Sequence, residues 1–125
     1  MDRMNSSDEK VNALAERLLA FAEKIISLVY KLPKTDVGKH IRGQLLRSGT
    51  SPGSNYEEAC GAESRADFIH KMGVVLKELK ESRYWLKLIK RTNLTEINII
   101  ESLIQECQEL CAIVAQSIIT ARKNK

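Results

Sequence analysis

Three long segments of the sequence repeat their apolar residues at alternating intervals of three and four, and this spacing restricts the fold more than any other feature. Such spacing puts the apolar residues on one side of an α-helix, and helices with long apolar sides pack nearly parallel or antiparallel, at about 20°. Aromatic residues make up only 5% of the chain, with 6 Gly and 2 Pro, too few for the strands and turns of an all-β domain. The sequence therefore predicts an all-α protein. The three stripes are Val11, Leu14, Leu18, Phe21, Ile25, Leu28 and Leu32; Phe68, Met72, Val75, Leu79, Ser82, Leu86 and Ile89; and Ile97, Ile100, Ile104, Cys107, Cys111, Val114, Ile118 and Ala121.

A second apolar stripe runs beside the first one in the first helix. It consists of Ala15, Leu19, Ala22, Ile26 and Val29. Two adjacent stripes make a face wide enough to contact two neighbouring helices.

The second segment contains Pro52 in a run of small residues, Ser48-Gly49-Thr50-Ser51-Pro52-Gly53-Ser54. A proline inside a helix removes one backbone hydrogen bond and clashes with the carbonyl four residues earlier, which costs about 3 kcal/mol. Two alternatives follow from the residues alone. Either a short loop ends here and Ser51 caps a new helix, or one long helix is kinked near Pro52.

Helix-capping residues give the approximate ends of the other elements. The Ser64 hydroxyl can accept from the Asp67 amide, Asn93 can end the third helix, and Thr95 can cap the fourth. The linkers are short, so neighbours in sequence are expected to pack antiparallel. We predict one domain over residues 1–125, with helices at approximately 8–31, 36–62, 65–91 and 95–122.

The net charge of +4 is concentrated in one part of the chain. Residues 62–91 carry 8 basic side chains against 4 acidic ones, an excess that equals that of the whole chain. A clustered basic stripe can attract phosphate backbones, whereas Lys–Glu pairing at helical spacing would make it an ordinary solvated face. The candidate nucleic-acid contacts are Arg65, Lys71, Lys77, Lys80, Arg83, Lys87, Lys90 and Arg91.

Few residues in the chain are suited to catalysis or metal binding. Cys107 and Cys111 lie in an apolar stripe without the further ligands that zinc requires, and are expected to be reduced core thiols. His40 and His70 have no motif that supplies a partner or substrate pocket. No segment is apolar enough to span a membrane or act as a signal peptide. We therefore expect a cytoplasmic, non-enzymatic protein without a cofactor or metal.

The stretch Gln44-Leu45-Leu46-Arg47-Ser48-Gly49-Thr50-Ser51 resembles a signature of the bacterial four-helix-bundle family named for the 23S ribosomal RNA intervening-sequence protein. The resemblance covers roughly residues 10–120. It includes the third helix through Met72, Leu76-Lys77-Glu78, Glu81-Ser82 and Tyr84-Trp85-Leu86. Its signature residues, expected to serve structure or an interface, include Gln44, Arg47, Ser51, Asn55, Glu58, Ser64, Asp67 and Phe68, with Gly49 and Gly61 between them.

The resemblance implies an antiparallel up-down four-helix bundle that assembles as a homopentamer. It also implies that the second helix runs through the small-residue segment, which favours the helix kinked near Pro52. Some members are encoded inside insertions in 23S ribosomal RNA genes. A related protein is the accessory subunit of diversity-generating retroelements, which joins a reverse transcriptase and contacts nucleic acid. No enzymatic activity is established for the family.

The sequence departs from the family pattern at two positions. Gly53 stands where a proline is common, and Ala59 stands where a glycine is common. Both lie near expected helix contacts, so these departures bear on the kink and on the close approach of helices. The fold itself is expected to be preserved.

Two functional hypotheses remain. In the first, an oligomeric scaffold binds RNA or DNA through basic faces of the third helix, which a five-fold ring would repeat five times. In the second, the protein is an adaptor that binds another protein and no nucleic acid. Asn55 and Glu58 are expected to hydrogen-bond across helices or subunits, or to bind a polar ligand. Tyr84 and Trp85 are expected in the core or an interface, because a bundle offers no open sheet for bases.

Overall fold

The structure is a computed structural model that describes residues 6–124, so the ends of the predicted domain, residues 1–5 and 125, lie outside it. The described chain forms four α-helices and no strand: α1 (Ser6–Lys31), α2 (Asp36–Cys60), α3 (Arg65–Arg91) and α4 (Ile97–Lys123). The all-α prediction is confirmed. The bounds differ from the predicted ones by at most two residues.

Contacts between successive helices show that they run in opposite directions. Gly49 lies against Ile25, whereas Gly53, one turn later in α2, lies against Leu18, two turns earlier in α1. The helices therefore form an antiparallel up-down bundle. Contacts between the next helices follow the same reversed order. They are Ser48 with Ser82 and His40 with Trp85 between α2 and α3, and Leu79 with Cys107 and Lys90 with Glu101 between α3 and α4.

The core is formed mainly by the predicted stripes, but the second stripe of α1 belongs to it only in part, through Val29 and the packing of Ala15. Phe21 in the first stripe is 1% exposed, whereas Leu19 and Ile26 in the second are 56% and 40% exposed. Within the single chain the second stripe is therefore only partly covered. The physical reason is that α2 approaches α1 through Gly49 and Gly53, which have no side chains to extend over the second stripe.

Helix α2 runs through the small-residue segment without interruption. Pro52 is buried inside the helix, so the alternative of a short loop with Ser51 as a new cap is wrong. Gly53 and Ala59, the two departures from the family pattern, lie in the same continuous helix. The helix ends at Cys60, two residues before the predicted end. There the amides of Gly61 and Ala62 donate to the carbonyls of Glu58 and Ala59, three residues earlier, which closes the last turn. A local bend near Pro52 stays a prediction.

Side-chain caps hold the starts of α2 and α3. Thr35 Oγ1 accepts from the Gly38 amide at 3.1 Å, and Ser64 Oγ accepts from the Asp67 amide at 3.1 Å. The Asp67 carboxylate in turn accepts from the backbone amide of Glu63 at 3.3 Å. This reciprocal arrangement satisfies two amide donors that a helix start leaves without partners. The cap predicted at Ser64 is confirmed.

The start of α4 differs from the prediction. Asn93 ends α3 with a left-handed φ of 54°, and the Leu94 amide then donates to the carbonyl of Ile89. This turn delays the next helix, so Glu96 and not Thr95 is the residue that precedes α4. Glu96 makes no side-chain capping bond, and the predicted Thr95 cap is wrong.

Candidate nucleic-acid interface

One side of α3 is exposed along most of the helix and carries no acidic residue. Its positions recur at intervals of three and four, which places them in one row on a helix. We call the central part of this row the α3 basic face. It consists of Lys77, Lys80, Tyr84, Lys87 and Arg91, all of them exposed.

The acidic residues of α3 lie on its other sides, where they are paired. Arg47 of α2 donates from Nη1 to Glu78 at 2.7 Å and from Nη2 to Glu81. Asp67 pairs with Lys71 one turn away, at 3.0 Å. The Lys and Arg residues of the α3 basic face have no salt bridge within residues 8–124. Their positive charge is therefore available to a ligand.

The ion pairs of α3 keep its carboxylates charged. The hydrogen bond from Arg47 lowers the pKa of Glu81, and a further bond from Trp85 acts in the same direction. The hydrogen bond from Lys71 likewise lowers the pKa of Asp67. These carboxylates stay ionised at neutral pH, and their charge is satisfied by cations outside the α3 basic face.

The structure divides the eight predicted basic contacts. Four lie on the α3 basic face, and Arg65 is exposed at the first residue of α3. Lys71 is bound to Asp67, and Lys90 lies 3.6 Å from Glu101 of α4. Arg83 is half-buried on the side of α3 that faces α4. Lys71, Lys90 and Arg83 are therefore less available to a ligand than the charge count suggested.

An aromatic cluster adjoins the α3 basic face. Tyr84 is 59% exposed, so of the two expected places, the core or an interface, the core is wrong and an interface stays a prediction. Its ring meets Trp85 edge-to-face at a centroid distance of 5.0 Å, and Trp85 meets His40 at 5.8 Å. Trp85 is half-buried and donates from Nε1 to Glu81 at 3.2 Å. The three-and-four spacing of Tyr84 with the lysines was the sequence signal for its exposure.

The family-signature residues serve mainly the bundle itself. Asn55 donates from Nδ2 to the Ser51 carbonyl at 3.0 Å, within its own helix, and the described part of the chain shows no bond from it to another helix. The Ser51 hydroxyl oxygen is buried and has no hydrogen-bond partner within the described chain. Glu58 is exposed, Gln44 is half-buried, and Phe68 packs against the core. These positions do not form one ligand site.

The cysteines fit the core-thiol interpretation. Cys107 and Cys111 are buried, and Cys107 donates from Sγ to the Leu79 carbonyl at 3.1 Å. The hydrogen bond with Cys111 and burial both raise the pKa of Cys107. No group of three or more His, Cys, Asp or Glu side chains in the described part of the chain could hold a metal ion. None of the four helices has an apolar stretch of the length needed to cross a membrane.

Thiol reactivity provides a direct check on this arrangement. We expect one of the three thiols, the exposed Cys60, to react rapidly with an aromatic disulfide reagent in the native protein, and all three in denaturant. The Cys60→Ser variant is the control and should lose the rapid phase. Rapid reaction of three thiols in the native protein would contradict the burial of Cys107 and Cys111.

Two open grooves lie between α1 and α4, which contact each other less than the other neighbouring helices do. The larger, about 670 Å³, is lined by apolar side chains including Val11, Leu14 and Ile113. The smaller, about 220 Å³, lies at the opposite end of the bundle, and no histidine lines either groove. Between them, Arg17 binds Glu106 at 2.6 Å. The larger groove also has polar lining residues, among them Gln116, Ser117 and Thr120 of α4.

Comparisons with known proteins agree with the architecture. The model of the 23S rRNA-intervening sequence protein family matches residues 11–116. A crystal structure of a protein of unknown function, from the S23 ribosomal protein family of Bacteroides thetaiotaomicron, is similar, with 37% sequence identity and a TM-score of 0.79. The match covers 84% of this chain and 97% of that one. No curated protein matches the sequence.

Proposed function

Because the chain belongs to the 23S rRNA-intervening sequence protein family, we propose that it is a non-catalytic, oligomeric protein that binds RNA or DNA through the α3 basic face. The observation that carries this proposal is the separation of charges on α3. Its acidic residues pair with Arg47 and Lys71, and four cations face solvent without a salt bridge to any of residues 8–124.

The length of the α3 basic face suits a phosphate backbone. From Lys77 to Arg91 the helix rises about 21 Å, at 1.5 Å per residue. Cations spread over this distance can contact several phosphates of one strand and release the counterions bound to them. The proposed binding is therefore electrostatic in origin and strongly dependent on salt.

Self-association would strengthen such binding. The second stripe of α1 exposes Leu19 and Ile26, and Tyr30 beside it is 84% exposed. Exposed apolar patches of this kind often mark protein interfaces, which supports assembly of several copies through α1. In the homopentamer that we propose, five α3 basic faces would act together and raise the apparent affinity.

A protein-binding adaptor is the second candidate function. The groove of about 670 Å³ between α1 and α4, with its apolar lining, favours it. An apolar partner seated there would bind with little dependence on salt, in contrast to a nucleic acid on α3. The salt dependence of binding therefore separates the two candidates.

Charge reversal on α3 tests the proposed function. In the Lys80→Glu/Lys87→Glu variant we expect affinity for an RNA hairpin and for duplex DNA to fall at least about tenfold at low salt. The slope of affinity against salt should also decrease, because fewer counterions are released. Fluorescence anisotropy from about 50 to 200 mM salt measures both quantities.

The matched control is Lys24→Glu/Lys31→Glu. These exposed lysines of α1 have the same spacing, and their reversal changes the net charge equally. Only a small loss of affinity is expected from them. Equal losses in the two variants, with native mass and helix content preserved, would show that net charge and not the α3 basic face drives binding. Absence of binding by the unaltered oligomer would favour the adaptor.

A further inference from the structure

We propose that Tyr84 is a stacking site for an unpaired base, so that the α3 basic face prefers single-stranded or looped nucleic acid to a continuous duplex. This inference rests on the proposed function and specifies its ligand. The site is the exposed ring of Tyr84 between Lys80 and Lys87.

The Tyr84 ring is supported from within the bundle. Its contact with Trp85 is edge-to-face, with an interplanar angle of 79°, and Trp85 is itself held by the hydrogen bond to Glu81 and the edge contact with His40. Arg47 in turn fixes Glu81. A ring supported in this way loses little conformational freedom when a base stacks on it.

The neighbouring cations lie on both sides of the Tyr84 ring along α3. Lys80 precedes Tyr84 by four residues and Lys87 follows it by three, so one cation lies about one helical turn to either side of the ring. Adjacent phosphates of a strand can reach the two cations while the base between them reaches the ring. Alternation of cations and an aromatic ring is a common arrangement in proteins that bind single strands.

A duplex cannot use this arrangement as fully. Its bases are already stacked on one another, so their faces are closed to a side chain, whereas its phosphates can still contact α3. Removing the ring should therefore affect single-stranded ligands and leave duplex binding nearly unchanged. Removing the flanking lysines should weaken the binding of both single-stranded and duplex ligands.

The test compares Tyr84→Ala and Tyr84→Phe on three probes of equal length, namely oligouridylate, oligothymidylate and duplex DNA. We expect Tyr84→Ala to weaken binding of both single strands about tenfold and to leave the duplex within about twofold. Tyr84→Phe should retain the affinity, because the ring and not the hydroxyl makes the contact. A larger effect on one single strand identifies RNA or DNA as the preferred ligand.

The control is Ile119→Ala, which removes another exposed apolar side chain, from α4. It should leave single-strand affinity unchanged at concentrations where the native mass is the same. Equal losses for duplex and single strands, or no loss in Tyr84→Ala, would overturn the stacking site. A change of native mass in Tyr84→Ala in place of a change in affinity would also overturn it, since Tyr84 would then be an intersubunit residue.

The outcomes separate this inference from the proposed function. If Lys80→Glu/Lys87→Glu loses binding while Tyr84→Ala does not, the α3 basic face binds phosphates and the stacking site is wrong. If the unaltered protein binds no probe even at the lowest salt, both proposals are wrong.

Discussion

Replacing Phe21 with alanine is expected to lower the free energy of unfolding by about 3–5 kcal/mol, a large part of the stability of a small domain. Phe21 is 1% exposed and is among the largest fully buried side chains. Its removal leaves a cavity between helices that cannot close without moving their backbones. Urea denaturation followed by circular dichroism measures the loss.

Leu19→Ala is the matched control for Phe21→Ala. Leu19 lies two residues away on the same helix but is 56% exposed, so its truncation should change the stability of the separated chain by no more than about 0.5 kcal/mol. If α1 mediates assembly, the same variant should lower the native mass at a given protein concentration. An unchanged native mass would contradict association through the second stripe, and a small effect of Phe21→Ala would contradict the core described above.

Alanine at position 49 is expected to destabilise the protein by about 1–3 kcal/mol, the usual cost of overpacking a core. A Cβ atom at Gly49 would lie 2.7 Å from Cγ1 and 2.8 Å from Cγ2 of Ile25. Both distances are well below van der Waals contact, so α1 and α2 must move apart. Thermal and urea denaturation of Gly49→Ala would measure this cost.

Gly43→Ala provides the opposite result on the same helix. A Cβ atom at Gly43 meets nothing within 4 Å, so alanine should stabilise α2 by about 0.5–1 kcal/mol through its greater helix propensity. In the Ile25→Ala background the Gly49→Ala substitution should cost much less, because both clashing γ-carbons of Ile25 are gone. Effects of the same sign at positions 43 and 49 would contradict the close contact between α1 and α2.

The helices were predictable because their signals are local. The stripe through Phe21 and the cap at Ser64 depend on residues a few positions apart, and the structure confirms both. The exposure of Leu19 was not predictable, since it depends on what the facing helix presents. There Gly49 and Gly53 bring two backbones together without extending over the neighbouring stripe.

The candidate interface was predictable as a segment but not as a surface. Charge counting found the basic excess of residues 62–91, yet it treated Arg83 and Lys90 as equal to Lys80 and Lys87. Arg83 and Lys90 differ from the other two because they lie towards α4, where Lys90 pairs with Glu101. In addition, the negative charges of Glu78 and Glu81 are paired with an arginine of α2. Pairing between helices distant in sequence has no signature in the spacing of α3 alone.

The order of helix contacts also has a consequence for how the chain folds. Most interhelical contacts join consecutive helices, and the contact between α1 and α4 is the sparsest. Each hairpin can therefore form after closing a loop of only a few residues, which costs little chain entropy. A topology dominated by contacts of short sequence separation is typical of rapid folding, and it leaves the alignment of the first and last helices as a late step.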